Sequence, residues 1–180
     1  MQIGVLAPTL EVTVDGAPVT LQAAAATLLV ALVASHPAPL HVEQIAELLW
    51  PGEEIAAVRT RLNTLSYRLR RSLGGAGVLL RTGELLALDP SACSIDLLAF
   101  REALRGDDAA RLAALRCVRG NLCDAALPYV ERLIDERRTF QALWVEHATD
   151  LLSRGACEPR SLADAMGALG VTPDDLAATR

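Results

Sequence analysis

Residues 54–88 read EIAAVRTRLNTLSYRLRRSLGGAGVLLRTGELLAL, and residues 54–73 decide the fold. With a turn of about 100° per residue, Val58, Leu62, Leu65, Leu69 and Leu73 share one narrow stripe, the buried face of an amphipathic helix. The opposite face carries Thr60, Asn63, Thr64, Tyr67 and Arg71. Arg59 and Arg70 flank this ridge on one side, and Arg61 and Arg68 flank it on the other. Gly74-Gly75 stops the helix. Two short apolar runs follow, 78–80 and 85–88, separated by Arg81-Thr82-Gly83-Glu84, and they predict a β-hairpin over 78–88.

A hydrogen-bonding ridge bordered by guanidinium groups suits a helix lying in the major groove of DNA. Ridge residues Thr60, Asn63, Thr64, Tyr67 and Arg71 are placed to reach base edges, while Arg59, Arg61, Arg68 and Arg70 hold phosphates. The planar fork of arginine pairs with phosphate, or with guanine, through two hydrogen bonds. From Arg59 to Gly83 there are six Arg and no acid, against 11 Arg and 22 acids in the rest of the chain. A helix face that is merely solvated would interleave Glu or Asp at i,i+4. The hairpin would then be a wing, with Arg81 as a further phosphate contact and Glu84 opposing it at the same tip. The competing reading is a face that binds protein or is simply solvated.

Working outward, residues 2–6, 10–14 and 18–21 alternate apolar and polar, and Asp15-Gly16 is a hairpin signal. Helical spacing covers 22–35 and 41–49, the latter ending before Trp50-Pro51-Gly52. From Ser94 onward no strand pattern is visible; helices are expected at 96–105, 108–118, 129–154, 159–169 and 173–178. In 129–154 the apolar positions, Trp144 among them, share a face. The charges Glu131, Arg132, Asp135, Glu136, Arg137 and Arg138 fall mostly on the others. The order predicts an α+β winged helix-turn-helix over 1–90, with a small N-terminal sheet, three helices and a β-hairpin wing. An all-α helical module over 94–180 follows.

Composition narrows the function. All 17 basic residues of the 180 are Arg, and 22 acids give a net charge of −5, which excludes a histone-like coat. A chain that is 52% hydrophobic is not disordered. The most apolar run, 21–34, is shorter than the ~20 residues a membrane span needs and lacks a basic leader, so it reads as a buried helix. Cys93, Cys117, Cys123 and Cys157 have neither zinc-ligand spacing nor a disulfide framework, and a reducing cytoplasm is expected. No metal site, cofactor loop or catalytic constellation is present in the pattern, so the chain is expected not to be an enzyme. His36 and His41 read as loop or capping residues, and Trp50 and Trp144 as core.

The first ~90 positions resemble the OmpR-type winged-helix domain as found in SARP/AfsR-type bacterial transcriptional regulators. The stretches that carry the resemblance are IGVLAPTLEVTVDGAPVTL, HVEQIAELLWPGEE, RTRLNTLSYRLRRSLG and LLRTGELLALDP, with Arg68-Leu69-Arg70-Arg71 matching the family's R-L-R-R run. SIDLLAFREAL and RGNLCDAALPYVERLIDERRTFQALWVEHATDLL resemble that family's bacterial transcriptional activator domain, a tetratricopeptide-like module, here in a shortened form. The wing tip departs from the family pattern at Thr82-Gly83-Glu84-Leu85. The resemblance implies a transcriptional regulator that binds double-stranded DNA at direct repeats as a homodimer, with RNA polymerase as a further partner. The alternative is an adaptor whose degenerate winged helix and helical module serve protein interaction.

Overall fold

The computed structural model describes residues 1–127 and 130–177. These divide into two compact units: Met1–Gly4 with Leu10–Ile95, and Val5–Thr9 with residues from Asp96 onward. Val5–Thr9, grouped by sequence with the first 90 residues, therefore packs with the second unit.

The first unit opens with β1 (Gln2–Gly4), β2 (Glu11–Val14) and β3 (Ala17–Pro18). Asp15 and Gly16 both have positive φ, 51° and 80°, as a two-residue hairpin turn that follows strand twist requires. Helices α1 (Ala23–Ser35), α2 (Val42–Leu49) and α3 (Ile55–Ser72) follow. Leu28–Val33 of α1 are all at most 2% exposed, so this helix is apolar because it is enclosed. Among the described residues no helix is long and apolar enough to cross a membrane. His41 caps α2: its Nδ1 accepts from the Glu43 N–H at 3.3 Å, and its own N–H donates to Gln44 Oε1 at 2.9 Å.

Two strands escape the sequence reading. β4 (Leu40–His41) pairs antiparallel with Leu85–Leu86 of the later hairpin, and β7 (Ser94–Ile95) pairs parallel with β1, so the expectation of no strand from Ser94 onward is wrong. Two residues are too few to show an alternation. The wing consists of β5 (Leu79–Thr82) and β6 (Leu85–Leu88), in register from Leu79 opposite Leu88 to Thr82 opposite Leu85. Arg81 and Thr82 are thus ladder residues, and Gly83-Glu84 is a two-residue turn with Gly83 at φ 60°. The sheets are ordered β3-β2-β1-β7 and β4-β6-β5.

The core of α3 differs from the expected stripe at one place. Leu65 is half-buried, whereas Ser66 is 1% exposed and its hydroxyl has no hydrogen-bond partner. Trp50 is likewise only half-buried. An unsatisfied buried hydroxyl costs about 1–3 kcal/mol. Ser66→Ala is therefore expected to raise stability by about 1 kcal/mol, read as a higher denaturant midpoint at unchanged slope.

The second unit is helical: α4 (Asp96–Ala103), α5 (Asp108–Arg116), α6 (Glu131–Ser153), a 3-10 turn (Pro159–Leu162), α7 (Ala163–Leu169) and α8 (Pro173–Ala177). Trp144 is fully buried and its indole N–H donates to Leu115 O at 3.1 Å. Phe100 and Phe140 pack with ring centroids 5.2 Å apart. Arg111 of α5 binds Asp150 of α6 at 2.7 Å and Arg154, at the end of α6, binds Asp108 of α5 at 2.8 Å, so the two tie α5 to α6; Arg154 also binds Asp150, at 2.9 Å. Their guanidinium groups hold the Asp150 carboxyl below its ordinary range, the Arg154 hydrogen bond contributing most.

Between α5 and α6, residues 118–127 run without regular structure, and Gly120–Cys123 among them are buried. Their backbone pairs with Val5–Thr9: the N–H groups of Arg119, Cys123 and Ala126 donate to Leu6 O, Val5 O and Pro8 O. Arg137, expected on a charged face of the long helix, is instead only 8% exposed. It donates to Asn121 O at 3.1 Å, Leu122 O at 3.0 Å and Leu127 O at 2.9 Å. Asp96 anchors the other side, accepting from the Val5 and Leu6 N–H groups at 2.9 and 2.8 Å.

Candidate nucleic-acid interface

Helix α3 presents the face that its periodicity predicts. Thr60, Asn63, Thr64, Tyr67 and Arg71 are all exposed, Tyr67 by 64%. The aromatic ring is kept out of the core by its angular position, opposite Val58. Thr60 and Thr64 donate their hydroxyls to the carbonyls of Ala56 and Thr60, at 3.4 and 3.3 Å. Their oxygen lone pairs remain available as acceptors.

The two flanks of the ridge differ. On the wing side every guanidinium is engaged. Arg59 Nε lies 3.2 Å from Glu84 Oε2, which reaches it from the wing turn. Arg81 donates from Nη1 to Asn63 Oδ1 and from Nε to Gly83 O at 3.2 Å. Arg70 donates from Nε and Nη2 to Leu79 O, at 3.4 and 3.2 Å. Arg70, selected from sequence as a phosphate contact, therefore braces the base of the wing against α3.

On the other flank Arg61 pairs with Glu53, which belongs to the turn entering α3. Glu54, the N-cap residue, makes no side-chain cap bond. Arg68 and Arg71 are exposed, and neither side chain has a hydrogen bond or ion pair among the described residues. They stand beside an open groove of about 510 Å³ whose other wall is Thr20, Leu21, Gln22 and Ala25, at the start of α1. The acid-free stretch from Arg59 to Gly83 is thus less positive in space than in sequence. Glu53 and Glu84 lie just outside it and fold back onto it. Neither is at i,i+4 from its partner, so helical spacing gave no signal of these pairs.

Both ion pairs are solvent-exposed, with side-chain exposures of 48% and 40% for Arg59 and Glu84. Pairs of this kind contribute at most about 1 kcal/mol. A competing phosphate can displace either carboxylate. Among the described residues no group of three or more His, Cys, Asp or Glu is placed to hold a metal ion.

A scan against models of known protein families finds no match, and no curated protein matches the chain. Among solved structures the chain is similar to Mycobacterium tuberculosis EmbR, determined in complex with a low affinity phosphopeptide. The TM-score is 0.52 at 20% identity, over 98% of this chain. The match covers 57% of the EmbR chain, so the present chain spans little more than half of that length. At this identity the likeness bears on fold alone.

Proposed function

We propose that the chain is a sequence-specific, double-stranded DNA-binding transcriptional regulator, with α3 in the major groove and the 78–88 hairpin as its wing. The observation that carries this reading is the contiguous exposed ridge of Thr60, Asn63, Thr64, Tyr67 and Arg71, with unpaired Arg68 beside it. Its donors and acceptors match the chemistry of base edges, and its cations match that of phosphates. Residues 1–90 form the DNA-binding domain in this proposal, and the helical residues 94–180 a tetratricopeptide-like, activator-type domain. A homodimer on direct repeats and contact with RNA polymerase belong to the same reading, by family resemblance alone.

A second reading, a protein-binding adaptor, is favoured by one observation: Glu84 and Glu53 already occupy Arg59 and Arg61. Selection of genomic fragments by the purified chain at low salt, followed by fluorescence anisotropy, separates the two. The regulator is expected to bind duplex with a slope of log K on log salt between about −1 and −3, as unpaired Arg68 and up to two released guanidiniums engage phosphates, each Arg71 contact to phosphate adding about −1. Glu84→Gln frees Arg59 and is expected to tighten binding several-fold. No fragment retained at low salt, with Glu84→Gln equally inert and a protein partner recovered by pull-down, favours the adaptor instead.

A further inference from the structure

The groove between the start of α1 and the second half of α3 lies beside the exposed ridge of α3. We infer that it seats one sugar-phosphate unit of the DNA backbone, with Arg68 and Arg71 as its cationic ligands. The inference rests on the DNA-binding reading and makes it specific. It moves Arg71 from base recognition to phosphate recognition.

Three features of the groove point to this occupant. First, Arg68 and Arg71 are one helical turn apart at i,i+3, border the same space, and have no protein partner among the described residues. On the wing flank, by contrast, each guanidinium already has an acceptor. Two adjacent unpaired guanidiniums with five donors each are matched by a phosphate, whose oxygens accept from both forks.

Second, the lining is mixed. Thr20 and Ser72 add hydroxyls, while Leu21, Ala25 and Leu65 add apolar surface. An inorganic ion has no use for apolar walls and needs far less than about 510 Å³. A deoxyribose carries its carbons against such a wall while its phosphate faces the cations.

Third, α1 enters the groove with its first turn bare. Gln22, the N-cap residue, makes no side-chain cap bond, and the first turn contains no acid. The first backbone hydrogen bond of the helix is from the Ala26 N–H to Gln22 O, at 2.9 Å. The preceding amides point out of the helix end and complement the two arginines.

The test uses the full chain, a random-sequence duplex and a salt series read by anisotropy. Arg68→Ala with Arg71→Ala is expected to flatten the salt slope by about 2 and to weaken binding at least tenfold at moderate salt. Gln22→Asp supplies the second arm. It caps α1, so the melting temperature is expected to rise, while its carboxylate repels phosphate and weakens duplex binding several-fold. A variant that is more stable yet binds less tightly is not explained by damage to the fold. If the wild type binds duplex and both variants keep its affinity and slope, the seat is wrong and the DNA reading stands. If the wild type binds no duplex, the DNA reading itself fails. Tighter capture of polyglutamate than of duplex, lost in the double variant, would make the groove an acidic-peptide site and overturn the inference.

Discussion

Gly120→Ala is expected to destabilise the helical unit by several kcal/mol, about 3 or more. A Cβ at this position would lie 2.5 Å from both Ala7 C and Pro8 N, and 2.9 Å from Pro8 Cδ. The two closest atoms belong to backbone, so no rotamer change relieves the overlap. The two segments must separate. Their separation removes the bonds that join them, from the Arg119 N–H to Leu6 O and from the Cys123 N–H to Val5 O and Ala7 O. Val5 and Ala7, both fully buried, would then become accessible to water. Denaturant unfolding followed by tryptophan fluorescence in a Trp50→Phe background checks this, because the remaining indole, Trp144, lies in the affected unit. Unfolding at the wild-type midpoint would refute it.

Arg137→Leu is expected to cost about 3 kcal/mol or more, because leucine fills part of the space but donates nothing. The carbonyls of Asn121, Leu122 and Leu127 would all lose a charged donor. The loss falls on a loop that already holds two non-glycine residues at positive φ, Leu122 at 49° and Cys123 at 57°. Such conformations cost about 1–3 kcal/mol each and persist only where surrounding bonds fix them. Arg137→Lys separates charge from geometry. A lysine keeps the positive charge but is a point donor, unable to span three carbonyls as the planar fork does. It is expected to recover less than half of the loss. Full recovery by lysine would mean that charge alone, and not the fork, holds the loop.

The sequence reading succeeded where a pattern repeats. The 3.6-residue spacing of Val58, Leu62 and Leu69 placed α3 and its outward ridge, and the positive-φ pair Asp15-Gly16 placed the first hairpin. It missed what depends on distant residues meeting. Arg59 and Glu84 are 25 positions apart, and only the wing brings them together. Ser66 sits at the edge of the apolar stripe, where one residue's angle does not decide between core and surface. Arg137 looked like any charge on a mixed helix face. Its burial follows from the demand of three carbonyls for donors, which no side-chain pattern encodes. For the candidate site, the ridge was legible and its divided flanks were not.

The allocation of Val5–Thr9 to the helical unit also bears on how the chain can be dissected. Its backbone passes between the units three times, after Gly4, after Thr9 and after Ile95, so a single break does not part them. A fragment ending near residue 90 would carry Val5, Leu6 and Ala7 without the partners that enclose them. It would also lack Ser94 and Ile95, the edge strand beside β1. A fragment beginning at residue 94 would leave the Asp96 carboxylate and the Leu122–Cys123 backbone facing empty space. The helical unit therefore closes late in synthesis: a segment made among the first ten residues waits for Arg119, Cys123 and Ala126 before its carbonyls are paired.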